Sequence, residues 1–125
     1  MIYIIDHKDS FTHNLVHQFE SFDNVVCDNY DEINENKLNK ANVIVFSPGP
    51  GAPKNYPISS NIYKKFKGQK KIIGICLGFQ QILYCEKGKI VEQKKIYHGY
   101  QSQIKVTSKN SLFKKNRKFN VGRYH

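Results

Sequence analysis

The chain has 125 residues, the usual size of a single domain. Hydrophobic residues make up 39% and aromatic residues 13% of it, which is enough to bury a core and excludes wholesale disorder. The apolar runs are too short for a membrane span, and the first residues lack the basic region of a signal peptide. We therefore expect a cytoplasmic protein that does not interact with membranes.

The net charge of +10 raises the question of a nucleic-acid partner. Only Arg117 and Arg123 among the 20 basic residues are arginines, although arginine is the side chain best suited to reading base edges. The lysines occur in scattered pairs instead of alternating with aromatic residues. We expect most of this charge to be solvated surface, and we predict no nucleic-acid partner.

The cysteines are three in number and do not form a CxxC pair, which argues against a disulfide framework and against a zinc ribbon. We predict neither a metal nor a cofactor. Cys27 and Cys85 are expected to be packing residues in the core, whereas Cys76 has a distinctive setting that is described below.

Four short apolar runs are typical of buried parallel strands, because they are rich in Ile and Val and do not alternate with polar residues. These runs are Ile2–Ile5, Asn24–Cys27, Val43–Phe46 and Ile72–Ile75. The segment between each run and the next is long enough for a helical or loop crossover, as a parallel sheet requires.

Helical spacing of apolar residues predicts the intervening helices. The first contains Phe11, Leu15 and Phe19, with Asp9 or Ser10 as its N-cap. A short helix is expected around Ile33 and Leu38, a third behind Pro57 as far as Phe66, and a fourth from Gly78 to about Tyr84. This alternation predicts an α/β fold with a doubly wound, mostly parallel, flavodoxin-like sheet.

The pattern changes after Gly88. Three short apolar segments separated by polar loops predict strands that extend the sheet at its edge in antiparallel fashion: Lys89–Val91, Gln103–Val106 and Phe119–Val121. We see no linker composition, so residues 1–125 are expected to form a single domain.

The segment Gly74-Ile75-Cys76-Leu77-Gly78 has the spacing of a nucleophile elbow, with Cys76 in the position of the nucleophile. Glycines two residues before and after the nucleophile allow a strand and a helix to pass closely. The helix N-terminus favours the thiolate, and the backbone N–H of Leu77 points toward an oxyanion. The alternative is a cysteine that only packs, which the glycines and the strand-to-helix context disfavour.

A Pro/Gly-rich loop, Ser47–Pro53, follows the third strand and should lie at the same sheet edge as Cys76. Alone it could be a plain turn, but beside the elbow Gly51 is predicted to supply a second oxyanion donor. Gln80 lies one turn beyond the nucleophile. Spacing alone leaves two alternatives open, projection into the pocket or exposure to solvent.

Three motifs together resemble the class I glutamine amidotransferases, and most closely the small subunit of anthranilate synthase or aminodeoxychorismate synthase. They are the opening DSFTxNL pattern from Asp9, the loop Ser47–Gly51, and the elbow through Gln80. His98-Gly99 and the segment Val121–His125 also match this group. The resemblance therefore extends over the whole chain.

The resemblance implies hydrolysis of glutamine and delivery of ammonia to a chorismate-using partner subunit of tryptophan or folate biosynthesis. It implies that Cys76 forms the thioester and that Gly51 and Leu77 supply oxyanion N–H groups. It also assigns Gly49, Pro50 and Gln80 to the glutamine pocket.

Two departures from the family pattern stand out. Phe79 replaces the usual histidine beside the elbow, which is not the catalytic base. Residues 1–125 contain neither the family's His-x-Glu pair nor the Ser-Leu pair that follows Tyr-His. We therefore expect this chain to lack the C-terminal part of the domain and to have little glutaminase activity. The histidine in His7-Lys8-Asp9 is a poor substitute for the base.

Two other functions stay open. One is a non-catalytic relative that binds and regulates a synthase, with a vestigial Cys76. The other is an unrelated doubly wound domain that binds an anion through the Ser47–Pro53 loop.

Overall fold

The computed structural model describes residues 1–109 and 111–124. The chain divides into two compact units, Met1–Ile90 and Val91–His125. They are called the N-terminal and C-terminal units below, and each is described by itself. None of the helices in the described residues is long and apolar enough to span a membrane.

The N-terminal unit is built on a parallel sheet of four strands. They are β1 (Ile2–Asp6), β2 (Val25–Asn29), β3 (Val43–Phe46) and β4 (Lys71–Gly74), in the order β2-β1-β3-β4. All three pairings are parallel. The predicted fold class and the four predicted strands are confirmed, with bounds that differ by one or two residues.

Four helices connect the strands and follow the last one. They are α1 (Thr12–Glu20), α2 (Glu35–Lys40), α3 (Pro57–Phe66) and α4 (Leu77–Cys85), with a short 3-10 helix at Pro53–Asn55. The N-cap of α2 is Asn34, whose side chain accepts a hydrogen bond from the Lys37 N–H.

The predicted cap of α1 at Asp9 or Ser10 is wrong, because a turn precedes the helix and Phe11 occupies the N-cap position. Asp9 Oδ1 accepts from the Phe11 N–H at 2.8 Å inside this turn. The Asp6 carboxylate accepts from the hydroxyl of Thr12 at 2.7 Å. The helix start is therefore held by the end of β1.

Apolar residues cover both faces of the sheet, as the absence of alternation predicts. One buried cluster combines β1 and β3 with α2 and α3: Tyr3, Ile5, Leu38, Ala41, Ile44, Phe46, Ile62, Tyr63 and Phe66. On the opposite face Leu15 of α1 packs with Ile2, Ile4 and Val45. Cys85 packs against the first cluster, as expected. Cys27 is exposed instead, because β2 is an outer strand of the sheet.

The C-terminal unit contains one antiparallel hairpin, β5 (Tyr100–Lys105) with β6 (Lys118–Arg123). These strands confirm two of the three predicted segments. Within the described residues they pair with each other as a separate sheet and do not extend the parallel one. The third predicted strand, Lys89–Val91, is wrong, because this segment is irregular and its apolar side chains are exposed.

Candidate functional site

Three segments meet at the carboxyl edge of the parallel sheet, where doubly wound folds place their chemistry. They are His7 after β1, the loop Ser47–Pro53 after β3, and Cys76 after β4. A Cβ added to Gly49 would stand 2.4 Å from His7 Cβ and 2.8 Å from Leu77 Cδ2. The loop is therefore wedged between the other two segments, and only glycine fits at this point.

Cys76 occupies the turn between β4 and α4. Its backbone has φ 55° and ψ −111°, a conformation that costs a non-glycine residue on the order of 1–3 kcal/mol. Such strain persists only where the surroundings enforce it. Cys76 is half-buried and occupies the N-cap position of α4.

The crowding predicted around this turn is confirmed at both glycines. A Cβ on Gly78 would lie 2.1 Å from the carbonyl oxygen of Phe46, and one on Gly74 would lie 2.4 Å from the carbonyl oxygen of Gly78. Both contacts are with backbone atoms, which cannot rotate away. The two glycines therefore allow β3, β4 and α4 to come together at Cys76.

The electrostatic environment of Cys76 differs from the prediction. Burial raises the pKa of its thiol, the backbone N–H of Leu77 lowers it, and the Asp9 carboxylate raises it; the net shift is upward. The predicted help from the helix N-terminus is present, but it is smaller than the cost of burial. The thiol form is favoured, so a base has to assist any attack by this sulfur.

Local contacts make the loop after β3 rigid. The Tyr56 hydroxyl donates to the Pro50 carbonyl at 2.8 Å, and the Ala52 N–H donates to Asn55 Oδ1 at 2.9 Å. Gly51 has φ 76°, in the left-handed region that favours glycine. Gly51 is exposed and Gly49 is half-buried, so this loop is accessible to solvent, and Gly49 lies against Leu77, the residue after Cys76.

His7 is the residue that sequence reasoning underrated. It is fully buried and connects β1 to both the loop and α3. Its backbone N–H donates to Ser47 Oγ at 2.9 Å, its Nδ1 lies 3.2 Å from the Ser47 carbonyl oxygen, and its Nε2 lies 2.9 Å from Ser59 Oγ. The sequence does offer a signal for this role, because His7 is a polar residue directly after the buried strand β1.

These contacts assign the tautomer of His7. A carbonyl oxygen can only accept, so Nδ1–H donates to Ser47 and Nε2 accepts from the Ser59 hydroxyl. Burial lowers the pKa of the imidazole, in agreement with a neutral ring. Both ring nitrogens are thus occupied by structural contacts, which agrees with rejecting His7 as the catalytic base.

The first turns of α4 carry two glutamines with different settings. Gln80 is half-buried, which leaves both of its predicted orientations open. Gln81 is fully buried and its Nε2 donates to Ser60 Oγ of α3 at 2.6 Å. Phe79 is 55% exposed, so its ring adds little to the core beneath the elbow.

The described residues contain no cluster of His, Cys, Asp and Glu that could hold a metal.

The later signature residues belong to the C-terminal unit. The ring of His98 meets that of Tyr124 edge to face, with centroids 5.5 Å apart. The Gly99 N–H donates to the Arg123 carbonyl oxygen at 2.9 Å. His125, the end of the Tyr-His signature, lies outside the described residues.

Known proteins resemble this chain over its whole length. The family model "Glutamine amidotransferase class-I" matches residues 3–125. Anthranilate synthase component 2 of Lactococcus lactis is 43% identical over 127 residues, covering 100% of this chain and 64% of that protein. The protein of the same name from Cyanidium caldarium is 37% identical over 128 residues, with coverage of 100% and 66%. The chain thus spans about two thirds of the length of these curated relatives.

One solved structure shows the same fold. It is a protein from Thermoplasma acidophilum described as a "putative gmp synthase subunit a protein", which superposes with a TM-score of 0.74. The match covers 99% of this chain and 63% of that one, at 20% sequence identity. At this identity the likeness concerns the fold alone.

Replacing Gly78 with alanine should destabilise the N-terminal unit by about 3 kcal/mol or more, because its Cβ would overlap the Phe46 carbonyl. Gly68→Ala is the control, since no atom lies within 4 Å of its added Cβ and only its φ of +78° opposes the change. That control should cost about 1–2 kcal/mol. Urea unfolding measures both, and equal losses would contradict the steric explanation.

His7 should make stability sensitive to acid. The pKa of His7 in the folded protein lies below the ordinary 6.5. At a pH just below 6.5 the unfolded chain therefore binds a proton at His7 that the folded chain does not bind. The free energy of unfolding should therefore fall as the pH drops below about 6.5, by at most ~1.4 kcal/mol per pH unit from this group. Unfolding curves at several pH values should show a shallower slope for His7→Asn than for the wild type. The exposed His13→Asn is the control, and identical slopes for all three proteins would refute this role.

Proposed function

Because the chain belongs to the class-I glutamine amidotransferases, we propose that it forms the Cys76-bearing part of a glutaminase that supplies ammonia to a chorismate-using synthase. The synthase we favour is anthranilate synthase of tryptophan biosynthesis, since the curated relatives are named as its component 2. The observation that carries the proposal is the strained turn at Cys76, with the Leu77 N–H at its sulfur and the Gly49–Gly51 loop beside it.

In the proposed reaction, Cys76 Sγ attacks the side-chain carbonyl carbon of glutamine. The carbonyl oxygen becomes an oxyanion, which the N–H groups of Leu77 and Gly51 stabilise. The C–N bond then breaks, ammonia leaves with the proton given up by the thiol, and a γ-glutamyl thioester remains. Water hydrolyses the thioester to glutamate and restores the thiol. Gly49, Pro50 and Gln80 are proposed to line the glutamine pocket.

The raised pKa of Cys76 makes proton removal the demanding part of this reaction. The nitrogens of His7 are occupied, and residues 1–125 contain no His-x-Glu pair. Relatives such as the Lactococcus lactis protein are longer than this chain, which covers 64% of that protein. We propose that residues 1–125 correspond to the first part of a single amidotransferase domain and that the base belongs to the remainder.

The location we propose is the cytoplasm. The cysteines of the described residues are not in disulfides, in keeping with a reducing compartment. A regulatory partner without glutaminase activity is the second candidate function, favoured by the raised pKa of the Cys76 thiol, which disfavours the reactive thiolate. Selective labelling of Cys76 by a glutamine analogue separates these two.

A diazo-ketone analogue of glutamine should alkylate Cys76 selectively, because binding in a glutamine pocket would deliver the reagent to this sulfur. Iodoacetamide, which has no such recognition, should show no comparable selectivity for Cys76, because burial raises the pKa of the Cys76 thiol and also raises that of Cys27, to about 11. Peptide mapping by mass spectrometry would show which cysteine reacts, and excess glutamine should protect Cys76 from the analogue. The same cysteine preference with both reagents would contradict glutamine recognition.

Residues 1–125 alone should release glutamate from glutamine slowly. General acid–base assistance contributes on the order of 10²–10⁴ in rate, and no residue in the described site is placed to provide it. A coupled glutamate assay should therefore give a turnover well below the usual range of about 1–10³ s⁻¹. Cys76→Ser measures the background rate. Turnover within the usual range would show that a base has been overlooked.

A further inference from the structure

The hydroxyl of Tyr56 contacts the loop after β3 at the peptide unit that carries a proposed oxyanion donor. It donates to the Pro50 carbonyl oxygen at 2.8 Å. The Pro50 carbonyl and the Gly51 N–H belong to one peptide unit, which is planar and trans. These two groups point in opposite directions, so a hydrogen bond to the carbonyl also fixes the direction of the N–H.

The backbone at this point does not select that direction by itself. Gly51 has φ 76°, a value typical of the third residue of a type II turn, in which proline is common at the preceding position. Rotating the peptide between Pro50 and Gly51 by about 180° gives the type I arrangement, which proline also favours. Glycine adopts either sign of φ with similar ease. A contact from outside the backbone therefore has to select the orientation, and the structure shows the Tyr56 hydroxyl in that place.

Tyr56 is itself held by buried contacts. Its side chain is buried, and its ring meets the rings of His7 and Tyr30 edge to face, with centroids 4.7 Å and 4.8 Å away. Its backbone N–H donates to the Pro53 carbonyl at 3.0 Å, and its own carbonyl accepts from the Ser60 N–H at 3.2 Å. All of these contacts lie within the N-terminal unit, so the position of the hydroxyl does not depend on an exposed surface.

The peptide unit on the other side of Gly51 is also held by a side chain. The Ala52 N–H donates to Asn55 Oδ1 at 2.9 Å, and the same oxygen lies 3.0 Å from the position of a Cβ added to Gly51. Asn55 and Tyr56 are adjacent in the chain, so one short segment fixes both peptide units that flank Gly51. Only the unit held by Tyr56 contains the Gly51 N–H.

We propose that Tyr56 is a positioning residue for the reaction, whose hydroxyl, through the Pro50 carbonyl, holds the Gly51 N–H in the orientation that stabilises the oxyanion. This inference rests on the proposed function, because it requires Gly51 to act as an oxyanion donor. In this role the hydroxyl acts through the loop and not on the substrate. Such preorganisation matters because the donor then needs no reorientation when charge develops on the oxygen.

A matched pair of ligands tests this role without the need for a catalytic base. The aldehyde 5-oxopentanoate and the amide glutaramate both resemble glutamine without its α-amino group. When the Cys76 thiol adds to the aldehyde, an S–C bond forms and the thiol proton passes to the aldehyde oxygen, which gives a tetrahedral hemithioacetal. This addition is an equilibrium, so the affinity does not depend on how fast the proton is removed. The amide reports binding of the planar carbonyl.

Tyr56→Phe removes the hydroxyl and keeps the ring. Its affinity for the aldehyde should fall about fivefold to tenfold, the shift that one net hydrogen bond provides. Its affinity for glutaramate should change less than about twofold, because oxyanion donors bind the tetrahedral species better than the planar carbonyl. Calorimetric titration of the 125-residue chain measures both affinities. Equal losses for the two ligands would overturn the proposal, since a general loosening of the loop weakens both alike.

Tyr30→Phe is the matched control, because it deletes a hydroxyl from the neighbouring ring of the same aromatic cluster. Among the described residues, the side-chain hydrogen bonds of the loop involve other residues. Tyr30→Phe should therefore leave both affinities unchanged, and thermal unfolding checks that both variants fold. Equal effects of the two substitutions on aldehyde binding would also overturn the proposal.

A second measurement separates this inference from the proposed function. Residual dipolar couplings of the backbone amides report the orientation of each N–H, whether or not a ligand binds. Tyr56→Phe should change the coupling of Gly51 and leave those of β1 and β3 as in the wild type, whereas Tyr30→Phe should leave all of them unchanged. An unchanged Gly51 coupling in Tyr56→Phe would overturn the inference. If that coupling changes but the wild-type chain binds neither ligand, the hold of Tyr56 on this peptide stands and the proposed function fails.

Discussion

The close approach between the start of α4 and the end of β3 is the constraint on which the candidate site depends. Gly78 lies so near the Phe46 carbonyl that a single methyl group would not fit. Because α4 must begin this close to the sheet, the chain has to turn sharply after β4. Cys76 makes that turn by adopting a positive φ. As a result, the backbone N–H of Leu77 points at the sulfur of Cys76. Packing between a helix and a strand thus produces a strained, half-buried thiol.

The same crowding extends to the loop after β3 through Gly49, which lies against both Leu77 and His7. His7 fixes the start of this loop through Ser47 and anchors it to α3 through Ser59. A buried imidazole with both nitrogens satisfied is a rigid support, but it cannot also accept a proton from the thiol. His7 therefore makes this edge of the sheet rigid, and another residue has to act as the base.

Much of this architecture could be predicted from the sequence because its signals are local. Runs of Ile and Val identified the positions of four strands, although only β1 and β3 are buried, and the glycines flanking Cys76 predicted the crowding that the structure shows. The misses depended on tertiary context. Cys27 lies on an outer strand, a position in the sheet that its own sequence does not encode. The direction of the Cys76 pKa shift depends on the balance between burial and one backbone N–H. The spacing of residues in the sequence does not reveal which of the two effects is larger.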